Sequence, residues 1–159
     1  MLTTFEIQVA RQIERMQRLP WDEIERQTAQ KRVAWLRESP QAARFRAEIG
    51  AHPSPRQAFE LLFFEYMGLS PADLPIVSES PESIVWRSQN RCPTLEAARR
   101  LGLDTRLVCR QIYERSTQAF LTELYPRLSF SRSYAEIRPY AAYCLERIDR
   151  VESGEMERL

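Results

Sequence analysis

The sequence predicts an α+β domain: an N-terminal helical layer packed on a small antiparallel sheet, with a helical hairpin inserted between its first two strands. Three observations carry that expectation. Apolar residues recur at helical spacing from Phe5 to Met67, runs of β-forming residues begin only at Ser83, and two helical stretches separate the first such run from the second. With 159 residues, 43% of them hydrophobic and 28% charged, the chain can bury one core and is too apolar to stay disordered. A single domain over residues 1–159 follows, with a helical part at 1–69 and an α+β part at 83–150.

Phe5, Val9, Ile13 and Met16 form the apolar stripe of a first amphipathic helix that ends near Pro20. Trp21-Asp22 opens a second through about Arg37, and after Ser39-Pro40 a shorter helix runs from Gln41 to Ile49, stopped by Gly50. The segment Ala58–Met67 is apolar on nearly every side, the pattern of a helix covered by several neighbours, and it predicts the central core helix. Glu60 and Glu65 interrupt it five residues apart and so point to different faces, as solvated carboxylates rather than a catalytic pair.

Prolines and serines from Ser70 to Glu82 read as a long loop. Ser83–Asn90 then reads as a strand, and Leu128–Tyr134 as a second, in which Leu128, Phe130 and Arg132 alternate with serines. Between them, Thr94–Leu101 is helical and ends at Gly102, and Asp104 caps a longer helix to about Leu124. Tyr143–Ile148 suits helix or strand, strand being preferred, and Glu152–Leu159 reads as a frayed tail.

The formal net charge is +1, with 10 basic against 11 acidic residues up to Ser80 and 13 against 11 beyond it, so no charge asymmetry recruits nucleic acid or membrane. The opening residues lack a signal-peptide pattern and no apolar run is long enough to span a bilayer, which predicts a cytoplasmic protein. Three cysteines, an odd number, argue against a disulfide framework and leave all three as thiols in a reducing compartment.

Cys92-Pro93 directly follows a predicted strand, and proline favours the first helical position, so Cys92 falls at a helix N-cap. Unpaired amides and the positive end of the macrodipole lower a thiol pKa there, which makes Cys92 the candidate catalytic nucleophile. The same residues also suit a buried cysteine that only closes the turn. Cys109 shares its helical face with Ile112, Tyr113, Ser116, Phe120 and Leu124 and points inward, while Cys144 lies beside a sheet edge. For both, a small core residue is the plain alternative to a functional one. His52, the one histidine, sits in a proline-rich loop, so a Cys-His dyad depends on it alone.

The stretch Asn90-Arg91-Cys92-Pro93-Thr94-Leu95-Glu96-Ala97-Ala98, then Gly102-Leu103-Asp104, Cys109-Arg110, Pro126-Arg127-Leu128-Ser129-Phe130 and Tyr143-Cys144 resembles the C-terminal part of the L-2-amino-thiazoline-4-carboxylate hydrolase-like family and its bacterial relatives. The resemblance runs from Ile84 to Ile148. It implies a Cys-Pro that opens a helix, a second cysteine on the next helix and a late one at the start of a strand, here Cys92, Cys109 and Cys144. The implied activity is hydrolytic opening of a small sulfur-containing ring.

Taken together, the working reading is a small-molecule hydrolase acting on a sulfur- or nitrogen-containing substrate at a cysteine-lined site. Cys92 attacks an electrophilic carbon, and Arg132, Arg138 or Arg147 binds a substrate carboxylate bidentately. Two alternatives come from other classes. Cys92, Cys109 and Cys144 would suit an iron–sulfur cluster or a zinc ion with an open position, although they lack the C-x-x-C spacing of a closed structural site. Glu96–Arg110 also has the spacing of a helix-turn-helix in which Arg106 and Arg110 approach DNA, against which stand the near-neutral charge and the ease with which any helical hairpin makes this pattern. A non-enzymatic interaction protein fits the same composition, and the residues do not specify an oligomeric state.

Overall fold

Short polar side chains ahead of the apolar-periodic runs start the helices. The Thr3 hydroxyl accepts from the Glu6 amide at 3.2 Å to cap α1 (Thr4–Arg18), and Ser39 caps α3 (Pro40–Ile49), which has proline in its first turn. The computed structural model describes residues 1–152, and α2 (Trp21–Glu38) lies between these two helices. Ser54 and Gln57 close a reciprocal capping box ahead of α4 (Pro55–Phe59), which runs on as a π-helical stretch over Glu60–Tyr66. Glu60 pairs with Arg56 and Glu65 accepts from Gln41, so the two carboxylates do separate, each to its own neighbour.

Pro93 opens α5 (Pro93–Arg100), and Asp104 caps α6 (Thr105–Val108) by accepting from the Arg106 amide at 2.9 Å. The rod continues through a π-helical stretch, Cys109–Glu114, into α7 (Arg115–Leu124). A π turn holds one residue more than an α turn, so it re-aims the side chains that follow it, and such turns gather at functional sites.

The sheet has four strands, β1 (Ile76–Ser80), β2 (Ser83–Ser88), β3 (Leu128–Arg132) and β4 (Cys144–Arg150), in the order β1-β2-β4-β3, every pair antiparallel. The expected loop from Ser70 to Glu82 is corrected here, because Ile76–Ser80 pairs with β2 as an edge strand. All five of its residues are exposed, so it lacks the in–out alternation that marks a half-buried strand. The helical hairpin consequently lies between the second and third strands in chain order. The tail expected from Glu152 to Leu159 falls outside the described residues beyond Glu152.

Register sorts the inner face of the sheet into rows. Ile84, Ile148 and Phe130 pair across β2, β4 and β3 as an apolar row. Two residues along, Trp86, Glu146 and Arg132 form the next row, and beyond it Ser88 faces Cys144. The apolar end meets α4 and α7: Trp86 lies 4.8 Å from Phe59 and 5.1 Å from Phe63 between ring centroids, and Phe120, Leu121 and Leu124 complete the cluster. Each fully buried side chain of this size contributes about 1.5–3 kcal/mol relative to exposure. A second cluster joins Val9 and Met16 of α1 to Ile24 of α2, Ala97 and Ala98 of α5, and Val108 and Ile112. No helix among the described residues is long and apolar enough to cross a membrane.

Candidate functional site

The polar end of the inner sheet face is where the chemistry collects. Strand pairing sets Arg132 directly across from Glu146, and the two form an ion pair with side chains only 3% and 2% exposed. Glu146 is also accepted into a chain of neutral donors: the Trp86 indole donates to Ser88 Oγ at 3.1 Å, and the Ser88 hydroxyl donates to Glu146 at 3.1 Å. The Arg132 guanidinium lies 4.7 Å from the centre of the Tyr113 ring, and its Nε has no hydrogen-bond partner among the described residues. Burial works against the Arg132 charge, but Glu146 beside it more than restores it, so its pKa ends above the usual arginine value.

Cys92, Cys109 and Cys144 border one small chamber in this region together with Arg132, Arg138 and Glu146. Each arrives on a different element: Cys92 on the cap of α5, Cys109 at the start of the second π stretch, Cys144 at the first position of β4. The segment between β3 and β4 supplies Arg138. It is anchored by fully buried Ile137, which packs with Cys109 and Cys144, and by the Thr105 hydroxyl donating to the Arg138 carbonyl at 2.8 Å. Arg138 Nε donates to Cys144 Sγ at 3.3 Å, and its Nη1 donates to the Asn90 carbonyl.

The chamber measures about 30 Å³, room for little more than a water molecule or two. A substrate therefore meets it from outside. Two open clefts adjoin it, one of about 390 Å³ beside α5 with Arg138 and Arg91 in its wall, the other of about 580 Å³ between α1, α2 and the start of α5. Both fall in the size range of small-molecule sites. Cys92 is the one described residue that borders the chamber and both clefts. It is also the partly exposed cysteine of the three; Cys109 and Cys144 are buried.

Several expectations from the sequence need correction against this geometry. Burial raises the Cys92 thiol pKa, and although the amides of Leu95 and Thr94 and the charge of Arg138 pull it back, the net direction is up, not down as the N-cap position alone implies. The Cys109 thiol is pushed up to about 12 by burial. Arg147 does not reach the site: it points to the outer face of β4 and pairs with Asp149 at 2.7 Å. A zinc or iron–sulfur centre on Cys92, Cys109 and Cys144 does not fit, because no three His, Cys, Asp or Glu side chains among the described residues are placed to hold a metal ion. His52 lies 5.2 Å from the Tyr125 ring, tilted against it, and borders neither chamber nor clefts. Arg106 is tied to Asp104 and lies over the Tyr140 ring, and Arg110 lies over Tyr134.

Three participants were not singled out in the sequence. Glu146 shares an inner-face alternation with Cys144 and Ile148, a readable signal once that segment is taken as a strand. Tyr113, whose ring lies beside the Arg132 guanidinium, and Arg32, which donates to Thr117 at 2.8 Å and lies over the same ring, take their places from which helices meet. No protein-family model, curated protein or solved structure matches the chain.

Proposed function

We propose that the protein is a thiol-dependent enzyme for a small molecule, most simply a hydrolase of a sulfur- or nitrogen-containing substrate, with Cys92 as the attacking group. The observation that carries the reading is the position of Cys92 at the junction of the chamber and both clefts, where a bound molecule can touch its sulfur. Arg138 borders the same 390 Å³ cleft and is placed to hold a substrate carboxylate. Arg132 offers an unmet Nε donor in the chamber wall.

Because burial holds the Cys92 thiol protonated, the first step is its deprotonation, the proton passing through solvent water to the nitrogen or sulfur that departs. The thiolate then adds to the electrophilic carbon of a C=N or C=O group. The departing nitrogen or sulfur takes a proton as its bond to that carbon breaks, leaving an acyl or imidoyl group on Cys92. Water attacks that carbon, the C–S bond breaks, and the proton released by water returns to the thiolate.

Two measurements test the reading. With limiting iodoacetamide at pH 8, peptide mapping should find Cys92 alkylated well before Cys109 and Cys144. With 2-aminothiazoline-4-carboxylate as probe substrate, ring opening should vanish in Cys92→Ser while the folded structure persists. Equal labelling of all three thiols, or undiminished turnover by Cys92→Ser, would remove Cys92 from the chemistry.

A further inference from the structure

The 580 Å³ cleft has a charge pattern that the Cys92 chemistry does not use. Arg11, Arg15, Lys31, Arg32 and Arg91 line it, and no carboxylate does. None of these five forms an ion pair among the described residues. Elsewhere on the molecule Arg18, Arg26, Arg37, Arg56, Arg99 and Arg100 each rest on a glutamate. Five cations without an ion pair therefore share one concavity that no carboxylate lines, although the net charge of the chain is only +1.

Arg32 is the most informative of them. It lies in the middle of α2 and is only 6% exposed. One guanidinium nitrogen donates to the Thr117 hydroxyl at 2.8 Å, and the group lies over the Tyr113 ring at 5.2 Å. Both contacts orient the guanidinium; neither neutralises it. A buried cation held by neutral partners and facing a cavity is costly unless an anion enters that cavity. Thr94, in the first turn of α5, borders the same space, so the helix N-terminus adds its partial positive charge.

We propose that this cleft binds a small molecule through a compact dianionic oxyanion group, a phosphate ester or a dicarboxylate, with Arg32 as the fixed buried anchor. The exposed Arg11, Lys31 and Arg91 line the same cleft and add their charge to it. The guanidinium forks match oxyanion geometry, and the volume suits a metabolite rather than a duplex or a protein. The assignment goes beyond the hydrolytic reading and does not depend on it.

Calorimetric titration of the whole chain with inorganic phosphate and, separately, with succinate tests it. Saturable one-site binding of at least one probe is expected, and which one binds identifies the source of the oxyanion. The double variant Arg11→Gln/Lys31→Gln alters exposed positions that the fold tolerates, and it should weaken binding by about tenfold or more. Arg32→Gln should weaken it at least as much, and if that variant does not fold, the surface double variant still decides. Arg44→Gln, an exposed cation outside the cleft, should leave the affinity unchanged. No saturable binding of either probe, or equal weakening by Arg44→Gln, would overturn the proposal.

Discussion

Breaking the Arg132–Glu146 pair from one side should unfold much of what the core provides, while removing both charges together should not. The two side chains are 3% and 2% exposed, so water screens neither partner. Glu146→Leu leaves the Arg132 guanidinium buried against aromatic rings and costs about 3–5 kcal/mol. It also takes away the acceptor of the Ser88 hydroxyl, adding about 1 kcal/mol. Arg132→Met belongs at the lower end of that range, because a stranded carboxyl can take up a proton and shed its charge whereas a stranded guanidinium cannot. The double variant Arg132→Met/Glu146→Leu replaces the pair with apolar groups of similar volume and should recover most of the loss. Urea denaturation at constant m-value gives the three stabilities, and the cycle should show a coupling of several kcal/mol. Single variants each costing under about 1 kcal/mol, or a double variant losing the sum of both, would refute the assignment of this pair as a buried, mutually dependent unit.

Two smaller effects follow from single contacts. Burial pushes the Cys109 thiol from about 9 up to about 12, so the stability linked to its protonated form is complete below pH 9 and is lost as the pH climbs towards 12. By pH 11 wild type should have weakened by about 3 kcal/mol more than Cys109→Ala, and parallel urea-midpoint curves for the two from pH 8 to 11 would contradict this. Ser54→Ala opens the capping box of α4 at a cost of about 1 kcal/mol, which thermal unfolding should register as a fall of about 2–4 °C; an unchanged Tm would mean that tertiary contacts alone hold the start of that helix.

How much of this was readable in the residues differs from element to element. The helices were legible because capping and apolar spacing are local: Thr3, Ser39 and Asp104 start helices close to where the pattern places them. The inward direction of Leu128, Phe130 and Arg132 was legible for the same reason, since strand period alone sends alternate side chains to one face. Strand β1 was not, because an edge strand exposed along its whole length has no burial pattern to show. The π stretches at Glu60–Tyr66 and Cys109–Glu114 were not either, since the same apolar residues satisfy an α-helical period.

By itself, then, the sequence determined the class of the helices and of β2 and β3, and the sheet face on which Arg132 lies, and it supplied the three cysteines. Only the tertiary structure decided their surroundings. Glu146 meets Arg132 through strand register, Arg138 reaches Cys144 through the segment after β3, and Arg32 faces the cleft because α1 and α2 close over it. The Cys92 pKa shows the difference most directly. A helix N-terminus favours the thiolate and can be read from Cys92-Pro93, but desolvation depends on every element packed around the sulfur, and it outweighs the local field.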